Sequence, residues 1–178
     1  MAVAERILRK EGIGAVTTRR VAGELGLTPM ALYRHFRGKD ALVQALVEIG
    51  FAHWETRLAR AVKARSPRRR LDNALAAYRD FALAEPRLFE LMFLTPRPAV
   101  PSAPASLAVS PSPAFSKVIA ALRAELPSPD PELLLLVWAL AHGLVALHFS
   151  GRFGFDEKVF RRTYDRTMAL LWSRLRPS

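Results

Sequence analysis

An all-α fold is predicted by three features of this 178-residue sequence. Helix starts are marked by a capping residue followed by proline, apolar residues recur three and four positions apart, and no stretch shows the period-two alternation of a strand. The cap oxygen accepts from an amide that the first turn leaves without a partner, and proline lacks the amide that the first turn cannot use. In chain order the pairs are Thr28-Pro29, Ser66-Pro67, Ser112-Pro113 and Asp130-Pro131. Thr17 or Thr18, and Asp156 before Glu157, are caps without proline, and Glu85-Pro86 forces a break. About nine helices are therefore expected, near 2–11, 18–25, 29–35, 39–64, 67–84, 86–94, 113–125, 131–149 and 157–175. Residues 95–114 carry Pro96, Pro98, Pro101, Pro104, Pro111 and Pro113 among Ala and Ser, which predicts a mobile loop.

Composition narrows the function. Half of the residues are hydrophobic (51%) and 24% are charged, enough for a packed core rather than a disordered chain. The absence of cysteine excludes disulfide scaffolds, thiolate metal sites, iron–sulfur clusters and thiol nucleophiles. The formal charge of +11 is uneven: residues 1–70 hold 15 basic and 6 acidic side chains, whereas 71–178 hold 12 and 10. A basic segment joined to a nearly neutral apolar one points to a polyanion-binding module attached to a domain that packs or binds differently.

A membrane location is not expected. The longest apolar stretch, 133–149, is interrupted by His142, Gly143 and His148 and is shorter than the roughly 20 residues of a spanning helix, so it is read as a buried helix. The first eleven residues already carry Glu5, Arg6, Arg9, Lys10 and Glu11, which leaves no apolar signal-peptide core. A cytoplasmic protein is the expectation.

Residues 17–36 read as two short helices around a tight turn. Val21, Ala22 and Leu25 stack on one face, Gly26 stands where the chain leaves the first helix, Leu27 is placed to seal the corner, and Leu32 and Phe36 form an i, i+4 stripe. This is a helix-turn-helix pattern, whose second helix enters the major groove of DNA. Its outer face offers Pro29, Met30, Ala31, Tyr33, Arg34 and His35. Thr18, Arg19 and Arg20 flank it, and Lys39 opens the next helix, where free amides favour phosphate. Val21, Leu25, Phe36 and Leu42 are assigned to the core of the module.

These residues resemble the tetracycline-repressor family of bacterial one-component regulators. The resemblance begins at Ala4-x-x-Ile7-Leu8 and Glu11-Gly12, and continues through Thr18-x-x-Val21-Ala22-x-x-Leu25-Gly26-Leu27. It ends at Leu32-Tyr33-x-His35-Phe36-x-x-Lys39-x-x-Leu42. It implies nine or ten helices, a homodimer through the last two long helices, and release from DNA when a small molecule enters the carboxy-terminal domain. Carried over by position, Thr18 and Arg19 meet the DNA backbone, Pro29, Met30 and Ala31 face bases, Tyr33, Arg34 and His35 meet phosphates or base edges, and Lys39 takes a phosphate. The implied partner is double-stranded DNA with an inverted-repeat operator. Two departures stand out. The chain opens almost on its first helix, without the basic arm of many relatives, and Pro29-Met30-Ala31 offers no bidentate base reader, so base reading falls to Arg34, thymine methyls and DNA shape.

Residues 86–93, and Trp138 to Leu144 with its Trp and His-Gly pair, resemble a subgroup of the same family. The resemblance implies a pocket for a small apolar effector lined by Phe81, Phe89, Met92, Phe93, Trp138 and His142. Plain core packing is the competing account of such aromatic and Met stripes. In the last helix Phe160, Tyr164, Thr167, Met168, Leu171 and Leu175 recur on one stripe, read together with 130–149 as a four-helix contact around a twofold axis. The run Arg57, Arg60, Lys63, Arg65, Arg68, Arg69 and Arg70 contains no acid. It is read as a solvated helix face in preference to a second DNA contact, and is left out of the site.

The division expected is a DNA-binding domain over 1–45 and an effector and dimerisation domain over 46–178. No enzyme is expected: His35, His53, His142 and His148 offer no close metal pair and no nucleophile–base pairing is legible, so no metal and no cofactor are assigned. A helical small-molecule carrier without DNA binding is the alternative. It leaves the collection of basic charge beside Tyr33-x-His35-Phe36-x-x-Lys39 unexplained.

Overall fold

The computed structural model describes residues 1–95, 113–125, 131–152, 154 and 156–175, and among them there is no strand. The helices are α1 (Ala2–Glu11), α2 (Thr18–Glu24), α3 (Pro29–Tyr33), α4 (Lys39–Ala61), α5 (Pro67–Ala84), α6 (Pro86–Phe89), α7 (Pro113–Glu125), α8 (Pro131–Phe149) and α9 (Glu157–Leu175). A 3₁₀ turn, Ile13–Ala15, follows α1, and α6 runs into a π-helical turn over Glu90–Leu94. Apart from Thr95 and the start of α7, the proline-rich stretch expected as a loop lies outside the described residues.

Among the described residues the caps read from sequence make their bonds, while Ser112 and Asp130 lie outside them. Thr17 Oγ1 accepts from the Arg20 amide at 3.2 Å, Thr28 Oγ1 from Ala31 at 3.3 Å, and Asp156 Oδ1 from Val159 at 2.7 Å. Two helices are shorter than expected. After Tyr33, the amides of His35 and Phe36 both bond the Leu32 carbonyl, which tightens the chain out of α3. After Ala61, the carbonyls at the end of α4 are taken by side chains of α5: Asn73 Nδ2 bonds Ala61 O at 3.2 Å and Arg70 bonds Ala64 O at 2.7 Å.

The chain divides into two compact units, whose boundaries fall inside α4 and α5. One comprises Met1–Trp54 and Phe81–Pro96 and the other Glu55–Asp80 and Arg97–Ser178. The first unit therefore includes α6 and its π turn as well as α1 to α3. Its core holds Ile7, Leu8, Val16, Val21, Ala22, Leu32, Leu42, Leu46, Leu88 and Phe89. Gly50 lets Met92 and Leu88 close in: a Cβ there would lie 2.4 Å from Met92 Sδ and 3.1 Å from Leu88 Cδ1, so a side chain would require Met92 to move.

In the second unit, Leu71, Ala121, Leu122, Val137 and Trp172 form a buried cluster, with Leu171 and Leu175 packed against it. Phe160, Tyr164, Met168 and Trp172 are the buried face of α9, each worth about 1.5–3 kcal/mol of burial. The apolar stripe of α9 is thus occupied within the chain, which corrects its assignment to a contact between subunits. The side chain that α9 turns outward is Leu170, 56% exposed. Charge adds to the packing of α5 on α9. Arg79 pairs with Asp80 and Asp165, Arg161 pairs with Asp80 and Glu157, and Tyr164 donates to the Leu75 carbonyl at 3.0 Å.

The reading of α8 as buried on most sides is also corrected. Its residues Val137, Ala141 and Val145 are buried, whereas Leu135, Leu136, Trp138 and Leu147 are exposed. Buried positions four apart mean that α8 uses one face inside the chain and leaves the other apolar face open. By length and composition, Glu132–Phe149 is the one helix among the described residues able to cross a membrane, contrary to the expectation that it falls short. Its contacts with α9 and with Tyr78 make it a packed element of this unit.

Candidate nucleic-acid interface

The turn between α2 and α3 is built by backbone geometry. Gly26 has φ 68°, where a Cβ would be strained, and it follows the C-cap Leu25. The Leu27 amide reaches back to Ala22 O at 2.9 Å and the Gly26 amide to Gly23 O at 3.1 Å, the paired bonds of a Schellman closure. This closure releases two side chains assigned to the core. Leu25 is 46% exposed and Leu27 48% exposed, because both lie past the last turn of α2, whereas Val21 and Leu42 are buried as expected and Phe36 is partly covered.

Pro29, Met30, Tyr33, Arg34, His35 and Lys39 are exposed, and Ala31 is partly so. Met30, at 74%, is the most exposed large hydrophobic side chain in the described residues. Thr18 is buried, and its hydroxyl donates to the Tyr33 phenol oxygen at 3.3 Å, which ties the start of α2 to the end of α3. Thr18 thus positions Tyr33 rather than presenting an open hydroxyl. Thr28 is likewise engaged, capping α3 from within. Gly38, at φ 98°, turns the chain into α4, whose first amides lie beside Lys39.

Charge pairing sorts the basic residues of this unit into two sets. Arg20 makes two 2.6 Å bonds to Glu11 and also reaches Glu24, Arg6 pairs with Glu24 at 2.5 Å, and Arg9 pairs with Glu85 at 2.9 Å and with Glu5. These pairs brace α1 against α2 and against the start of α6. Lys10 on α1 and Arg19, Arg34, Arg37 and Lys39 make no ion pair among the described residues and are exposed, and the last three of these lie together between the end of α3 and the start of α4. Arg37 was not singled out by the motif; its signal in the sequence is a second cation between Phe36 and Lys39. Three unpaired cations against the single acid Asp40 around the end of α3 and the start of α4 form a surface suited to phosphate oxygens.

The six residues expected around an effector are distributed over both units. Phe81, Phe89, Met92 and Phe93 belong to the first. Phe81 and Phe89 are fully buried with ring centroids 6.4 Å apart, and Phe89 lies 4.9 Å from Phe93. Trp138 and His142 belong to the second, with rings 5.7 Å apart. There Tyr78, which sequence reading missed, supplies a hydroxyl 2.9 Å from His142 Nδ1 and accepts a hydrogen bond from Trp138. Burial raises the Tyr78 phenol, which keeps it protonated, and lowers His142, which keeps its ring neutral. The phenol oxygen and Nδ1 share one hydrogen bond at 2.9 Å, with the neutral ring's tautomer setting which of them donates. Elsewhere in this unit an open cleft of about 440 Å³ is lined by Ser116, Ile119, Ala120 and Arg123.

Comparison with known proteins adds independent findings. Residues 71–171 match the family model described as "Tetracyclin repressor-like, C-terminal domain", and residues 1–46 match that of "Bacterial regulatory proteins, tetR family". Over 50 residues, 28% of this chain, the sequence is 44% identical to the tetracycline repressor protein class A from transposon 1721 of Escherichia coli, covering 23% of that protein. Over 84 residues, 47% of this chain, it is 32% identical to the nucleoid occlusion factor SlmA of Pasteurella multocida, covering 42% of that protein. The matched stretches thus span less than half the length of these curated relatives. Among solved structures, a protein of unknown function from Rhodococcus sp. RHA1 superposes with a TM-score of 0.74 at 27% identity, covering 98% of this chain and 92% of that one. A TetR variant from Acinetobacter baumannii AYE in complex with minocycline superposes with a TM-score of 0.68 at 25% identity, covering 99% and 96%.

The Tyr78–His142 pair sets a pH dependence. The folded-state pKa of His142 lies below the ordinary 6.5, so below that pH the unfolded chain binds the proton first and folding stability falls as pH falls. Thermal unfolding should show a lower Tm at pH 5.5 than at pH 7.5, and His142→Gln should reduce that difference, with the remainder carried by His148, whose pKa burial also lowers. An unchanged slope in the variant would show that His142 does not carry it.

Proposed function

Because the chain belongs to the tetR family of bacterial regulatory proteins, we propose that it is a cytoplasmic, sequence-specific DNA-binding transcriptional regulator. In this reading it is a homodimeric repressor released from an inverted-repeat operator by a small apolar effector. The observation that carries the DNA reading is the set Arg19, Arg34, Arg37 and Lys39, exposed and without acid partners around α3, while their neighbours Arg6, Arg9 and Arg20 are paired. Arg19 and Lys39 take phosphates, Tyr33 and His35 meet backbone or base edges, and α3 presents Pro29, Met30 and Ala31 to the major groove. Met30 has no hydrogen-bonding group with which to read a base, so it reads a thymine methyl by contact, and Arg34 supplies the directional hydrogen bonds.

Lys39→Ala should weaken binding on every sequence alike and make the logarithmic salt slope shallower by about 0.9. Arg34→Ala should instead relax preference at one operator position per half-site. Selection and sequencing of bound genomic fragments, followed by titration against varied salt, measures both. Equal slopes for Lys39→Ala and the parent would remove Lys39 from the phosphate contacts.

The dimer reading is supported by the open apolar face of α8, Leu135, Leu136 and Leu147, together with Leu170 on α9. Two copies of a twofold dimer present two recognition helices one DNA turn or more apart, hence an inverted repeat. Leu136→Asp and Leu170→Asp should each convert a sedimenting dimer to monomer and weaken operator binding, since each would bury an unpaired charge. A dimer that survives both places the interface elsewhere.

The effector reading is supported by the relative solved with minocycline and by the Trp138–Tyr78–His142 group. A ligand shifts DNA binding only by preferring one arrangement of the dimer, and the coupling is reciprocal, so operator DNA should weaken effector binding by the factor that effector weakens DNA binding. Screening apolar and aromatic compounds by tryptophan fluorescence, then repeating titrations with Trp138→Phe, His142→Ala and operator, tests this. Hits indifferent to all three would place the effector away from Trp138 and His142 and remove the switch.

A further inference from the structure

The second unit carries a basic surface of its own at the turn between α4 and α5. No acid occurs from position 56 to 71, and the stretch holds seven cations. Three of them are engaged within the chain. Arg70 bonds the Ala64 carbonyl at 2.7 Å and the Arg65 carbonyl at 3.2 Å, Arg68 pairs with Asp72 at 3.0 Å and lies 5.0 Å from the centre of the Trp172 ring, and Arg57 is also in contact. The other four, Arg60, Lys63, Arg65 and Arg69, are exposed and make no ion pair among the described residues.

The turn that bears these four is held by its neighbours. Asn73 and Arg70 close the carbonyl end of α4, and Ser66 caps α5 through the Arg69 amide at 3.5 Å. Fixing like charges side by side costs stability that an acid within the stretch would relieve, and the sequence supplies none. A held array of cations lowers the entropy cost of binding a polyanion. The chemistry of the patch also selects among polyanions. None of the exposed large hydrophobic side chains lies between Phe51 and Leu135 in the described sequence, so the turn offers neither the apolar wedge of a membrane-surface helix nor the aromatic anchors of a protein interface. Three of the four cations are arginines, whose planar forks match phosphate oxygens.

We propose that Arg60, Lys63, Arg65 and Arg69 form a second nucleic-acid surface, which grips the phosphate backbone without reading sequence and acts independently of the helix-turn-helix. The solvated-face reading of this run is replaced for these four, and Arg68 and Arg70 are bonded within the chain rather than left to solvent.

The test uses the full chain and a random-sequence DNA duplex, titrated over a range of salt. The variant Arg60→Gln/Lys63→Gln/Arg65→Gln/Arg69→Gln should bind more weakly, with a logarithmic salt slope shallower by about 3.6, since each of the four phosphates no longer neutralised removes about 0.9. Replacing the three arginines by lysine should restore most of the slope, and circular dichroism should show unchanged helix content in both. A glutamine variant with the parent's affinity and slope overturns the proposal. So does one that keeps duplex binding but no longer binds phosphatidylglycerol vesicles or polyglutamate, which would assign the patch to a membrane or an acidic protein. The Arg34→Ala/Lys39→Ala variant separates this surface from the helix-turn-helix. If it alone abolishes all duplex binding, the patch reading fails and the helix-turn-helix reading stands; if only the glutamine variant abolishes binding, the reverse holds.

Discussion

The position of six glutamates and aspartates governs what the first 70 residues can do, because they are shared among 15 cations. Glu11 and Glu24 hold Arg20, Glu24 also holds Arg6, and Glu5 holds Arg9 together with Glu85 from the later part of the same unit. Exposed pairs of this kind contribute little individually, because water and salt screen them. Their larger effect is on charge distribution: every acid used to brace α1 is one fewer near α3. Around Arg34, Arg37 and Lys39 the cations outnumber the one nearby acid, Asp40, and the turn after α4 has no acid between positions 56 and 71.

Within the first unit, short helices leave little room for error. The α3 helix is five residues long and cannot be stable by itself. It is held by Thr28 at its start, by the Schellman closure at Gly26 before it, by Leu32 in the core, and by the Thr18–Tyr33 bond at its end. Each of these fixes orientation rather than adding contact area. Thr18 resembles a DNA contact in sequence, and its bond to Tyr33 instead holds the end of α3 to the start of α2, with the Tyr33 ring still half exposed.

In the second unit, apolar faces are divided between internal packing and the surface. The α9 helix places Phe160, Tyr164, Met168 and Trp172 inside, and α8 places Val137, Ala141 and Val145 inside, which leaves Leu135, Leu136, Leu147 and Leu170 outside. Apolar side chains outside the core at this density are the mark of a surface that meets another one. Polar groups inside are matched in turn: Tyr78, Trp138 and His142 satisfy one another, and Arg79 is enclosed by Asp80, Asp165 and the Tyr164 ring.

The all-α class, the helix starts at Thr17, Thr28, Ser66 and Asp156, the turn at Gly26 and the exposed set Met30, Arg34, His35 and Lys39 were readable from sequence alone. All of these rest on interactions within a few residues: a cap, a proline, a glycine with positive φ, a helical period. Only tertiary structure decided the rest, because those outcomes depend on partners distant in the chain. Whether Leu25 and Leu27 are covered, which face of α8 is used, and that the α9 stripe is internal all depend on which neighbour arrives, and an apolar residue carries no mark of its partner. The same holds for charge. That Arg20 is spent on Glu11 and Arg70 on the turn after α4, while Arg34 and Arg65 are exposed without an ion pair among the described residues, is a matter of distances that the linear order does not contain.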